Sequence, residues 1–146
     1  MRYEVYIYNK ARPLAYLKDA ADEYTKRLSR YCKTGYHYIK KEKIWEKTWN
    51  QASDRILILP GKGSVSSEAF SRKLESLEME GKGSVSFFIP DPVHLREWCT
   101  CQTTGDYQGD IINLSDFTMS SSLTGVVLLE QIYRGYRIMH HHPYHK

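Results

Sequence analysis

Four histidines within six positions are the residues of this chain whose types and spacing most invite a chemical role: His140, His141, His142 and His145. Imidazole is a common zinc ligand, so a metal site is the first interpretation of the cluster. Three consecutive histidines cannot all face one ion without an irregular backbone, and no carboxylate or thiol lies nearby in sequence. The sequence therefore predicts no metal site in this segment.

The three cysteines do not indicate a metal or redox site either. Cys99 and Cys101 have neither redox nor zinc-ribbon spacing, and with Cys32 they make an odd number that cannot all pair. A domain of this size does not need covalent cross-links, so we expect reduced thiols.

Three large enzyme classes lack their sequence signatures here. The chain contains no glycine-rich P-loop, no Gly-x-Gly-x-x-Gly after the first predicted strand and no Gly-x-Ser-x-Gly. Nucleotide hydrolysis, an ordinary dinucleotide fold and a hydrolase triad are therefore unsupported.

Charge is distributed unevenly along the 146 residues, a length that predicts one domain spanning 1–146. Residues 1–62 hold 14 Lys+Arg against 7 Asp+Glu, whereas residues 63–146 hold 7 against 10. The basic half is the expected contact for phosphates, and a merely solvated lysine-rich surface is the alternative. Twelve tyrosines could add stacking surfaces for unpaired bases.

No apolar run suits a membrane span or signal peptide, so we expect a cytoplasmic protein with no membrane contact.

The elements that must position these residues alternate between strand and helix. Strands are predicted at Tyr3–Tyr8, Tyr36–Ile39, Arg55–Leu59, Val85–Ile89 and Asp110–Leu114. Helices are predicted where apolar residues recur from Leu14 to Tyr31, after a cap at Ser66 or Ser67, and from Leu123 to Ile138. The stretch Lys40–Gln51 fits either a helix or a loop. This order predicts an α/β fold with a mostly parallel sheet and ligands at the carboxyl ends of its strands.

The last helix and the segment after it carry two specific motifs, which read Leu129-Glu130-Gln131-Ile132-Tyr133-Arg134-Gly135 and His142-Pro143-Tyr144-His145. They closely resemble the ends of the RlmH family, the 23S rRNA pseudouridine N3-methyltransferases of the SPOUT class. That family ends its last helix with Leu-Glu-Gln-x-Tyr-Arg-Ala and its chain with His-Pro-Tyr-His. Weaker matches follow in the right order upstream, so the resemblance covers essentially the whole chain.

The resemblance implies a homodimer with a carboxyl-terminal trefoil knot and S-adenosylmethionine bound in the knot loops. It also implies a pseudouridine substrate in 23S rRNA on the assembled ribosome. Carried over position by position, the cofactor contacts fall at Leu57, Ile89, Asp91, Leu114, Ser115, Asp116, Phe117, Thr118, Met119 and Ser120.

The chain departs from the family pattern where the cofactor is expected. The family's Ile-Gly-Gly-Pro-Glu-Gly is replaced by Ile89-Pro90-Asp91-Pro92-Val93-His94. Proline fixes φ and removes an N–H donor where glycine allows close backbone approach. Thr118-Met119-Ser120-Ser121 stands for a Thr-Phe-Pro-His or Thr-Leu-Pro-His run. Gly125 stands for an arginine, and Ile58 for an acidic residue.

Two hypotheses follow for the function. In the first, the protein transfers a methyl group to N3 of pseudouridine, with His142 or His145 handling the proton, Tyr144 contacting the base and Arg134 the substrate or a carboxylate. In the second, a degenerate RlmH-like dimer binds RNA or the ribosome without methylating it, and side chains such as Phe88, Val93 or Met119 fill the cofactor pocket. Whether the loop from Pro90 to His94 leaves space for the cofactor distinguishes the two hypotheses.

Overall fold

A computed structural model describes residues 1–105, 107 and 109–145 of the chain. Strands and helices alternate in the order β1 (Arg2–Tyr8), α1 (Ala15–Leu28), β2 (Lys33–Ile39), α2 (Glu42–Gln51), β3 (Arg55–Ile58), α3 (Ser67–Met79), β4 (Ser84–Ile89), α4 (Arg96–Thr104), β5 (Asp110–Ile112) and α5 (Ser121–Met139). No helix in this described part of the chain is both long and apolar enough to cross a membrane.

The five strands form one sheet in the order β2-β1-β4-β3-β5, and every neighbouring pair is parallel. Val5 pairs with Tyr36 on one side and with Phe87 on the other, which sets the register of the central strands. Parallel strands need crossover connections, and here helices supply them on both faces. The predicted α/β class with a parallel sheet is confirmed.

Side chains alternate between two apolar cores on opposite faces of the sheet. Tyr3, Val5 and Ile7 of β1 belong to the larger core, which they form with α1, α3 and α5. Tyr8 of the same strand, with Leu57 and Phe88, belongs to the smaller core beneath α2 and α4. Both faces are therefore covered, as expected for an all-parallel sheet.

The smaller core is built from tryptophan. Trp45 is fully buried and packs edge-on against Phe88 at 5.4 Å and Trp98 at 5.3 Å between ring centroids. Trp49 packs against the same two rings. This packing answers the open question at Lys40–Gln51, because Trp45 and Trp49 lie four residues apart and α2 presents both to the sheet.

Several elements differ from the sequence prediction, since β2 begins at Lys33 rather than Tyr36 and α1 ends at Leu28 rather than Tyr31. The predicted strand Asp110–Leu114 ends at Ile112, because Asn113 leaves the sheet and its carbonyl accepts a hydrogen bond from the Val65 amide at 2.9 Å. Helix α4 was not predicted. The cap at Ser66 is confirmed, since its hydroxyl accepts from the Ala69 amide.

Helix α5 returns from β5 across the sheet to β1. The Ser121 hydroxyl donates to the Tyr8 carbonyl at 2.6 Å. Gly125 packs so closely that a Cβ there would lie 2.5 Å from Cδ1 of Ile7. The start of α5 is therefore held at the carboxyl ends of β1 and β4.

Replacing Trp45 by alanine tests whether α2 is a fixed cover of the sheet. Loss of this fully buried ring should lower the free energy of unfolding by about 3–5 kcal/mol in urea titrations. Ile44→Ala is the matched control, because Ile44 lies on the same helix but is 50% exposed, and it should change the value by about 0.5 kcal/mol or less. Equal effects of the two substitutions would contradict the packing described for α2.

Candidate functional site

A small apolar cleft lies at the carboxyl ends of β3 and β4. Its walls are mostly apolar side chains and prolines: Ile58, Leu59, Pro60, Ile89, Pro90, Pro92, Leu114 and Met119. Ser115 and the first turn of α5, at Thr124, add hydroxyl groups. This is the position where open parallel α/β sheets bind ligands.

Four of the residues predicted to hold the cofactor line this cleft: Ile89, Leu114, Ser115 and Met119. Leu57 does not, because it faces the tryptophan core on the other side of the sheet. Asp116, Phe117 and Thr118 are exposed, and the Phe117 side chain is 71% exposed. Ser120 caps α5 by accepting a hydrogen bond from the Leu123 amide.

The side chains that line the cleft suit a cofactor with an adenine ring, but the volume of the cleft is too small for one. Apolar walls with a few hydroxyl groups are typical of small-molecule sites, but those sites measure roughly 300–1,000 Å³. This cleft has a volume of about 20 Å³, which holds little more than one water molecule. The cleft as it stands is therefore too small to hold the cofactor. The loop from Ser115 to Ser120, which borders the cleft, has no regular secondary structure, and one of its side-chain hydrogen bonds is local, from the Ser115 hydroxyl to the Phe117 carbonyl at 2.5 Å.

The loop after β4 holds an aspartate–histidine pair that the sequence analysis missed. Asp91 Oδ2 lies 2.5 Å from Nδ1 of His94, and Asp91 Oδ1 accepts from the Val93 amide at 3.0 Å. A carboxylate in this position keeps the proton on Nδ1 and leaves Nε2 as the basic nitrogen. The two residues flank the proline-lined edge of the cleft. The sequence signal was an Asp-x-x-His spacing directly after a buried strand.

The carboxyl-terminal segment folds back on α5 and α3. Arg134 donates from Nη2 to Glu130 at 2.7 Å and from Nη1 to Nδ1 of His145 at 3.1 Å. Nε2 of His145 then donates to Glu68 at 2.6 Å. The Tyr144 hydroxyl donates to Glu130 at 3.1 Å, and its ring lies beneath the Arg134 guanidinium. The structure thus brings together three of the four predicted catalytic residues.

Protonation states follow from these contacts. The hydrogen bond from His145 lowers the pKa of Glu68, so this carboxylate stays ionised. Burial, with the nearby Glu130, raises the pKa of Tyr144, so its phenol stays neutral and acts as a donor. His145 has both ring nitrogens engaged and is held in one tautomer.

His142, the fourth predicted residue, lies elsewhere. Its Nδ1 is 2.8 Å from the Tyr31 hydroxyl and 3.4 Å from Nη1 of Arg137, near the carboxyl ends of α1 and α5. Desolvation by neighbouring side chains lowers the pKa of the exposed His142, and the positive charges of Arg137, His140 and Arg30 lower it further.

Helix α5 connects the two groups of residues. Thr124 lines the cleft, and Glu130 follows six residues later, about 9 Å along the helix axis. Within residues 1–105, 107 and 109–145, the side-chain hydrogen bonds of His142, Tyr144 and His145 reach α1, α3 and α5 rather than the cleft loops. The cleft and the folded-back segment are thus separate within one protomer.

A model of the family described as "Predicted SPOUT methyltransferase" matches residues 1–145. "Ribosomal RNA large subunit methyltransferase H" of Acetivibrio thermocellus is 31% identical over 90% of this chain and 91% of its own. The protein of that name from Clostridium kluyveri is 35% identical over the same shares. "Ribosomal RNA large subunit methyltransferase H 1" of Thermoanaerobacter sp. is 32% identical over the full length of both chains.

The match to the family model spans nearly the whole chain, and the parallel sheet with a cleft at its carboxyl edge agrees with it. The chain belongs to the SPOUT methyltransferases and, within them, to the RlmH family.

Proposed function

We propose that this protein methylates N3 of a pseudouridine in large-subunit ribosomal RNA and takes the methyl group from S-adenosylmethionine. The observation that carries the proposal is the cleft at the carboxyl ends of β3 and β4 in a chain of this family. The relatives' names, which state ribosomal RNA of the large subunit as the target, support the substrate class.

Residues of the cleft would hold the cofactor. Ile89, Leu114 and Met119 offer apolar surface to an adenine ring, and Ser115 and Thr124 offer hydroxyl groups. Bound in this place, S-adenosylmethionine supplies an electrophilic methyl group. The protein's own part is to open the loop from Ser115 to Ser120, to exclude water and to align the acceptor nitrogen.

N3 must lose its proton during the transfer, so a base is needed. His145 has both ring nitrogens engaged, by Arg134 and Glu68, and His142 is bound to Tyr31. Nε2 of His94 has no hydrogen-bond partner among the described residues, and Asp91 keeps the proton on its Nδ1. His94 is therefore the base that the geometry favours at the cleft.

Arg134 and Tyr144 would contact the RNA. Glu130 holds both side chains in fixed positions, and the neutral Tyr144 phenol, which donates its proton to Glu130, can accept a hydrogen bond from a base through its oxygen. His145 positions Arg134 by accepting a hydrogen bond from it.

A homodimer forms part of the proposal. Apolar side chains are exposed where α1 and α5 begin: Leu14 is 55% exposed, Tyr16 67% and Leu123 38%. They surround a hollow of about 410 Å³ beside the loop that carries Phe117. An exposed apolar patch of this kind suits the interface of a two-fold dimer.

The path of the chain supports a trefoil knot. Residues 113–115 run along the loop after β3, where the Val65 amide donates to Asn113 and the Gly61 amide to Ser115. The chain then turns back, and α5 packs on β1 and β4. A trefoil knot forms when such a returning segment threads through the earlier loop, and knots are rare.

The second candidate function is that of an RNA-binding dimer that does not methylate. The cleft volume of about 20 Å³ favours it, because an unopened cleft excludes the cofactor. The buried Pro90 also removes a backbone donor from the cleft wall. Met119 takes part in closing the cleft, as this candidate expects, whereas Val93 is 82% exposed and Phe88 lies in the tryptophan core.

Isothermal titration with S-adenosylmethionine separates the two candidates. We expect binding with a dissociation constant of ~1–100 μM, accompanied by opening of the loop from Ser115 to Ser120. Thr124→Phe should fill the cleft and abolish binding. The control is Thr100→Phe, since Thr100 makes the same hydroxyl contact to the carbonyl four residues earlier but lies exposed on α4. No binding by the wild type at millimolar cofactor would favour the non-methylating dimer.

Replacing His94 by glutamine or Asp91 by asparagine tests the proposed base. Each should slow single-turnover methylation of unmodified ribosomes by about 10²–10³-fold and change the affinity for S-adenosylmethionine less than about twofold. Glu97→Gln, on the exposed face of α4, is the control. A single-turnover rate of His94→Gln within about twofold of the wild-type rate would exclude His94 as the base.

Arg134→Lys tests the folded-back segment. Lysine keeps the charge but loses the geometry that joins Glu130 to His145, so kcat/KM for ribosomes should fall by about tenfold or more. Binding of S-adenosylmethionine should stay unchanged. Arg72→Lys, on the exposed face of α3, provides the control. A selective loss of cofactor affinity in Arg134→Lys would show that Arg134 serves the cleft instead.

A further inference from the structure

A cationic surface lies at the edge of the molecule where β1 and β2 begin, away from the cleft at their carboxyl ends. A hollow of about 510 Å³ opens there between the amino ends of β1 and β2, the end of α1 and Gly83. Its walls carry three positive side chains and no carboxylate: Arg2, Arg30 and Lys33.

The carboxyl ends of α1 and α5 extend this surface. Tyr31, in the wall of the hollow, receives a hydrogen bond from Arg137 at 3.1 Å and lies 2.8 Å from Nδ1 of His142. The His140 ring lies over Tyr31 at 5.2 Å between centroids, and His142 over His140 at 5.7 Å. Positive and aromatic groups therefore form one continuous patch.

Positive charge on this patch is not neutralised within the described part of the chain. Arg30, Lys33 and Arg137 have no carboxylate partner among the described ion pairs, and Nε of Arg137 is buried without a hydrogen-bond partner. Two carboxylates of adjoining elements are engaged: Glu4 with Arg2 and His37, and Glu78 with the Tyr136 hydroxyl. The crowding of like charges is also what helps to lower the pKa of His142.

Helix dipoles explain only part of this arrangement. Cations at the carboxyl ends of α1 and α5 offset the partial negative charge of each helix end. Lys33, however, belongs to a strand, and it closes the other side of the hollow. Several cations converging on an open concave surface are typical of a phosphate-backbone contact.

We propose that this patch, formed by Arg30, Lys33, Arg137, His140 and His142, docks the phosphate backbone of an RNA strand. This docking proposal rests on the proposed function, because the patch would hold the substrate RNA at a place separate from the methylated base. The contacts are to phosphates, so they position the RNA and carry no sequence preference of their own. Exposed His140 and His142 rings could stack on an unpaired base.

Charge reversal at two exposed residues tests the docking surface. Fluorescence anisotropy of a short labelled single-stranded RNA without pseudouridine is compared for the wild type, Arg30→Glu/Lys33→Glu and Lys18→Glu/Lys47→Glu. All four residues are exposed, and both pairs change the net charge equally. We expect the Arg30/Lys33 pair to weaken binding at least tenfold and to reduce the slope of log K against log salt by about 1.4, two contacts at ~0.7 each. The Lys18/Lys47 pair should stay within about twofold.

Two further sets of measurements test whether the substitutions change folding, assembly or cofactor binding. Thermal unfolding and light scattering should show that both double variants keep the stability and assembly state of the wild type. Titration with S-adenosylmethionine should be unchanged by Arg30→Glu/Lys33→Glu. Equal losses in both pairs, or no RNA binding by the wild type, would overturn the docking surface. RNA binding through the patch in a protein that binds no cofactor would preserve it and reject the methyltransferase proposal.

Discussion

The close packing of α5 on the sheet is the constraint on which the rest of the structure depends. Gly125 allows the helix to approach Ile7 and Ile89, and Ser121 ties its first turn to the end of β1. Thr124 is thereby placed in the cleft, and Glu130 and Arg134 follow on the next turns to hold the folded-back segment. A side chain at position 125 would have to displace Cδ1 of Ile7.

Electrostatics divides the histidines into three environments. His94 pairs through Nδ1 with Asp91, and its Nε2 has no hydrogen-bond partner among the residues that the structure describes. His145 lies between a guanidinium and a carboxylate, which engage both of its nitrogens. Desolvation and the positive side chains around His142 disfavour its protonation. These contacts support the proposed roles of His94 as the base and of His145 in positioning Arg134, and they favour an uncharged His142 ring that can stack on a base.

Much of the fold could be predicted from the sequence because buried parallel strands appear in it as continuous apolar runs. Arg55–Leu59 and Val85–Ile89 are such runs, and their positions were right to within a residue. Helix α4 was missed because Cys99-Thr100-Cys101-Gln102-Thr103-Thr104 has weak helix propensity, and its packing comes from Trp98 meeting Trp45 and Trp49 across the core. Part of the candidate site was also predictable, since Arg134, Tyr144 and His145 belong to a specific motif. The Asp91–His94 pair and the cleft volume were not, because they depend on how a proline-containing loop folds against the strand ends.

The most direct test of the central claim is the fate of a labelled methyl group. Ribosomes that lack the modification are incubated with the protein and S-adenosylmethionine carrying a deuterated methyl group, and nucleosides of the large-subunit RNA are separated by mass spectrometry. The account predicts that the label appears in N3-methylpseudouridine and in no other nucleoside. Label in a different nucleoside, or no transfer at all, would contradict it.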